Sequence, residues 1–136
     1  MVDPEKVTDR LERLAELLDE LSEIEEDGYD TYRASFRNRL AVAHGLQLAV
    51  QVCLDIGAHL IAEEGLKMPN DYRGVFASLK AVGLETELAD RLSAAAGMRN
   101  ILVHDYLMVD DKAVWDALGR LDDLHQFSGF VKSKIT

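Results

Sequence analysis

A chain of 136 residues, 48% of them hydrophobic, can bury one core and is too short for two comfortable domains, so residues 1–136 read as a single domain. Its formal charge of −10 excludes general electrostatic attraction to nucleic acid or to an anionic membrane, and any grip on phosphate must come from a local group of arginines. The single cysteine, Cys53, excludes an internal disulfide; flanked by Val50, Val52 and Leu54, it reads as a small buried thiol in a reducing compartment.

The two prolines, Pro4 and Pro69, leave long stretches without a helix breaker, and aromatic residues are only 7% of the chain. An all-α protein is expected. The N-terminus opens with charge and no apolar run approaches the roughly 20 residues of a membrane span, so the expectation is a cytoplasmic protein with no membrane partner.

In chain order, Val7, Leu11, Leu14, Leu18 and Leu21 recur at spacings of four and three, which predicts an amphipathic helix over about residues 3–26, ended by Asp27-Gly28. Residues 31–64 are apolar on more than one side, as suits a central helix touched by several neighbours. Along it Gln47, Gln51, Asp55, His59 and Glu63 form a polar stripe that drifts around the axis, either a solvated edge or a face turned to a site or a second subunit. A loop at 65–69 leads to a third helix, capped by Asn70 or Asp71 and stopped by Gly83. A fourth helix starts near residue 85 and runs through ELADRLSAAAGMRN. Asp110 and Asp111 cap a last one, in which Val114, Leu118, Leu121, Leu124 and Val131 keep helical spacing. The sum is a bundle of about five helices.

Residues 99–106, RNILVHDY, carry the chemistry. On a straight helix His104 is rotated about 140° from Arg99, so that geometry alone does not unite them. Either the helix ends near His104 and Asp105-Tyr106 swings back, or the same motif of a second subunit completes the site across a twofold axis. The small residues Ala94, Ala95, Ala96 and Gly97 just upstream would admit a closely packed helix. RNA carries its own nucleophile, the 2′-hydroxyl; strand cleavage then needs a base for that proton and a cation for the charge on the transition state. His104 and Arg99 are those residue types. Tyr106 can donate to a phosphate or stack on an unpaired base, and Asn100, one turn before His104, can fix the imidazole's orientation.

The arginine, four residues, histidine, one residue, tyrosine pattern resembles the signature of HEPN-domain ribonucleases. With LQLAVQVCLDIGAHLIAEEG and GMRNILVHDY, the chain resembles the HepT toxins, the HEPN half of a bacterial toxin–antitoxin pair, from the second helix through the motif. The resemblance implies a homodimeric up-and-down HEPN bundle whose paired motifs cleave RNA without a metal or other cofactor. It implies that Arg99 and His104 are catalytic, that Asn100 supports them, and that Tyr106 is adenylylated by an MntA-like minimal nucleotidyltransferase antitoxin. Asp55, in CLDIG, matches a family-typical acidic position, with a role in orienting Arg99 or His104.

Two other readings compete. Asp55, His59 and Glu63 lie one turn apart and could face one metal ion, but no second His or Cys cluster completes a coordination sphere. His44 and His125 stand alone and read as core-edge or surface residues. A non-catalytic helical dimerisation or partner-binding module would use the same apolar seams, with the motif serving only the fold.

Overall fold

The computed structural model describes residues 4–135, the side chain of Tyr106 apart, and every regular element among them is helical. The first helix, α1 (Pro4–Glu26), turns Val7, Leu11, Leu14, Leu18 and Leu21 inward, the five positions of its apolar seam. It ends where Gly28 takes φ 92°, a left-handed conformation that costs glycine nothing.

The predicted second helix is broken in two: α2 (Tyr29–Ala34) and α3 (Phe36–Glu63). Ser35 makes the break: its backbone is extended and its side chain accepts the Asn38 N–H at 3.1 Å, so the residue caps a helix instead of continuing one. The kink carries Tyr32 into the core, where it is 1% exposed and stacks on Trp115 with ring centroids 5.1 Å apart.

The central helix α3 buries Val42, Leu46, Ala49, Val50, Cys53, Leu54, Ile56, Gly57, Leu60 and Ile61, residues on more than one side of its axis. By length and hydropathy alone it could cross a membrane, contrary to the sequence expectation, but half of its most apolar stretch is buried inside the protein. Its apolarity follows from that central position. Burial pushes the Cys53 thiol far above its ordinary range, as fits an inert core residue.

The third predicted helix is shorter, α4 (Arg73–Ser78) followed by a 3₁₀ turn over Leu79–Val82, and stops at Gly83 with φ 108° as expected. Next, α5 (Thr86–His104) packs against α3, α4 and α7 (Leu121–Ile135). Between α5 and α7 lies α6 (Asp111–Ala117), capped as expected by Asp110, whose carboxylate accepts from the backbone of Lys112 and Ala113 at 2.9 and 3.4 Å. A 3₁₀ turn over Leu118–Arg120 joins it to α7. Phe76 of α4 meets Phe127 of α7 edge-on at 5.3 Å, both fully buried, and the core runs as one cluster through the seven α-helices of the described residues.

The Tyr32 hydroxyl donates to the Asp111 carbonyl at 2.9 Å, fastening α2 to the start of α6. Burial, and next the Asp111 carboxylate, raise the phenol's pKa to about 12. A raised phenol pKa means that the fold favours the neutral form, so this contribution is complete below pH 10 and lost as pH climbs toward 12. Urea unfolding of the wild-type chain should therefore lose stability between pH 10 and 12 more steeply than that of Tyr32→Phe, which lacks the titrating hydroxyl. Parallel curves would contradict this.

Candidate functional site

The last turns of α5 carry Arg99, Asn100 and His104, and the helix stops at His104. Asp105, at φ −120° and ψ 41°, leaves helical backbone while its N–H still reaches the Ile101 carbonyl at 2.9 Å. A single 3₁₀ turn, Tyr106–Met108, follows, closed by the Met108 N–H on the Asp105 carbonyl at 2.8 Å. The helix ends at the histidine, as one of the two sequence readings expected. Tyr106's side chain, and with it the expectation placed on that phenol, lies outside the described residues.

Arg99, Asn100 and His104 line one open cleft of about 420 Å³, together with Ala58 of α3, Val75 of α4 and the loop Met68, Pro69, Asn70, Asp71 and Tyr72. The 140° separation on the helix does not keep arginine from histidine, because the cleft is a groove between α5 and the 68–72 loop, which both side chains reach. His104 is exposed, whereas Arg99 is partly buried, with its Nη1 donating to Asn100 Oδ1 at 2.9 Å and its Cζ 5.0 Å from the centre of the Tyr72 ring. Its buried Nε has no hydrogen-bond partner among the described residues.

The loop wall is built by close packing. Asp71 accepts the Gly74 N–H on Oδ1 at 3.2 Å, and a Cβ on Gly74 would stand 2.6 Å from Pro69 Cβ. Only glycine lets Pro69 fold back over the start of α4, and that fold sets Tyr72 beside Arg99. Sequence reasoning missed Tyr72 altogether. The available signal was an aromatic residue in a short polar, proline-led loop, where no core demands one.

Other expectations shift. Asn100 holds the Arg99 guanidinium, with no bond to the His104 ring among the described residues. Asp55 does not line the cleft: its carboxylate takes Gln51 Nε2 at 2.7 Å and lies in a neighbouring groove with Lys6 and Arg10 of α1 and His59 of α3. The reason is its position on α3, facing the first turns of α1, so in one chain it orients neither Arg99 nor His104. Nor does Gly97 await a foreign helix. Arg73 of the same chain covers it, with Nη2 3.2 Å from where a Cβ would be. Among the described residues no three His, Cys, Asp or Glu side chains gather closely enough to hold a metal ion. His44 and His125 are both exposed.

A helix-end histidine and a guanidinium sharing a cleft can take a proton and offset anionic charge, and the family comparison agrees with that chemistry: the ribonuclease HepT-like family matches residues 7–131. The chain belongs to the HepT-like ribonucleases. As a member it is an RNA-cleaving enzyme with an all-α HEPN-type bundle. It is 32% identical over 120 residues to the tRNA nuclease HepT of Aphanizomenon flos-aquae, covering 86% of this chain and 80% of that one. It is 31% identical over 105 residues to the mRNA nuclease HepT of Shewanella oneidensis, 76% of this chain and 79% of that one. Its fold superposes with a TM-score of 0.86 on a solved structure of a tri-AMPylated Shewanella oneidensis HEPN toxin in complex with MNT antitoxin, at 27% identity over 98% of this chain and 99% of that one.

The HepT-like cleft thus depends on a glycine. Gly74→Ala should destabilise the protein by about 1–3 kcal/mol in urea unfolding, since Pro69 must give way. Gly119→Ala, where an added Cβ meets nothing within 4 Å, should leave the midpoint within experimental scatter or raise it.

Proposed function

We propose that this chain is the toxin of a toxin–antitoxin pair, a metal-independent endoribonuclease whose catalytic residues are Arg99 and His104. The observation that carries the proposal is the single cleft that receives both side chains and is open enough for a phosphodiester. His104 takes the proton of the 2′-hydroxyl as its oxygen forms a bond to phosphorus. The P–O5′ bond breaks, leaving a 2′,3′-cyclic phosphate and a 5′-hydroxyl end once solvent water protonates the departing oxygen, and His104 returns its proton to solvent. Arg99 directs N–H donors at the non-bridging oxygens, where negative charge accumulates in the transition state. Asn100 supports Arg99. Asp55, in the adjoining groove, is left out of the catalytic set.

Two copies of the chain form the working unit in this reading. Supporting it, Ile101, Leu107 and Met108, inside or just after the motif, are 47%, 85% and 79% exposed, a concentration of large apolar side chains that a second copy would cover. A dimer doubles the local arginines at one place and so gathers positive charge there in a chain whose net charge is −10. The antitoxin is an MntA-like nucleotidyltransferase that transfers AMP from ATP to the Tyr106 hydroxyl, releasing pyrophosphate and the phenolic proton. The added phosphate and adenosine bring negative charge and bulk to a residue two positions after His104, which opposes the approach of an RNA backbone. Action on RNA of this kind takes place in the cytoplasm.

His104→Ala should abolish growth arrest on expression and reduce cleavage of single-stranded RNA at least a hundredfold while the dimer, measured by light scattering, persists. Wild-type cleavage should continue undiminished in excess EDTA. Continued killing by His104→Ala would remove the histidine from the mechanism, and a wild-type dimer that cuts no RNA would leave a non-catalytic dimerisation module.

A further inference from the structure

We infer that Tyr72 is a positioning residue of the RNA-cleaving site, its ring fixing the Arg99 guanidinium at the cleft without consuming the hydrogen-bond donors that substrate needs. The inference rests on the ribonuclease reading above.

An arginine at the rim of an open groove would ordinarily sweep through many rotamers, and ordering it carries a conformational entropy penalty. Here Arg99 already has two neighbours that restrain it, the Asn100 amide and the Tyr72 ring. Asn100 alone is a poor clamp, since adjacent residues on a helix diverge by about 100° and must reach around to meet. The Tyr72 ring comes instead from a different element, and its centroid lies 5.0 Å from Cζ. Tyr72 is itself anchored by the packing of Pro69 on Gly74 and by the Asp71 carboxylate turned to the Gly74 N–H.

The type of clamp matters. In a chain with 25 acidic residues the common partner for an arginine is a carboxylate, which would occupy the guanidinium fork and neutralise the charge meant for phosphate. Among the described residues no carboxylate pairs with Arg99, although Asp71 lines the same cleft. An aromatic face attracts the cation through its quadrupole and takes up none of the in-plane N–H groups, of which Asn100 accepts from Nη1. Tyr72, 44% exposed, pays for no large part of the core, so its place is better explained by Arg99 than by packing.

The test compares full-length wild-type, Tyr72→Phe, Tyr72→Leu and Tyr72→Met chains, with thermal melting to verify the fold. For a single-stranded RNA oligonucleotide, Tyr72→Leu and Tyr72→Met should lower kcat about tenfold, equivalent to about 1.4 kcal/mol, with a smaller change in KM. Tyr72→Phe should restore most of the rate. In an Arg99→Ala background Tyr72→Leu should add no further loss. Independently of activity, the NMR signal of the Arg99 Nε–H group should carry an upfield ring-current shift in wild type and Tyr72→Phe and lose it in Tyr72→Leu. An Arg99 signal unmoved by Tyr72→Leu, or a Tyr72→Phe variant as slow as Tyr72→Leu, would overturn the assignment. Wild-type and Tyr72→Leu chains cutting RNA equally fast would overturn it alone, whereas a wild-type chain that cuts no RNA would overturn it together with the ribonuclease reading.

Discussion

Everything in this molecule is arranged around the burial of α3. A helix that hides residues on several sides of its axis cannot be satisfied by one neighbour, and here α1, α2, α4, α5, α6 and α7 all touch it. Side chains such as Leu54, Ile56, Leu60 and Ile61, each at most 1% exposed, contribute about 1.5–3 kcal/mol apiece relative to exposure. That shared core brings α4 and α5 to the same end of α3, where Ala58 forms the floor of the cleft. The site is a by-product of packing around one helix, sharpened by a loop.

How much of this could be read from residues alone depended on whether the relevant physics was local. The seam of α1, the stops at Gly28 and Gly83 and the cap at Asp110 follow from periodicity or backbone preference within a few residues, and each stands where expected. The break at Ser35 was missed because a serine inside an apolar, helix-forming run is ambiguous until the tertiary structure rewards turning Tyr32 inward. At the site, Arg99, Asn100 and His104 were visible as a spacing. Tyr72 was invisible, because its meeting with Arg99 is made by a loop distant in sequence. Asp55, whose embedding in apolar sequence suggested a role beside Arg99 or His104, has Gln51, one turn away, as its partner within the chain.

The electrostatic economy is also uneven. The chain is strongly acidic, and some of its positive groups are tied to carboxylates: Arg91 with Asp123 at 2.8 Å, Arg39 with Asp111 at 3.5 Å, Lys112 with Asp116 at 3.0 Å. Exposed pairs of this kind add little stability, about 0–1 kcal/mol each. Arg99 differs from these cations in having an amide and an uncharged ring as its neighbours, Asn100 and Tyr72.

The segment between α5 and α6 is moored at each end. On one side the Asp105 N–H is still bound to the Ile101 carbonyl, and on the other the Tyr32 phenol grips Asp111 beside Trp115. A strut fastened in this way is held against the bundle at both ends. Leu107 and Met108 on it, 85% and 79% exposed, are presented outward, so whatever meets this edge of the molecule meets a tethered apolar ridge rather than a loose loop.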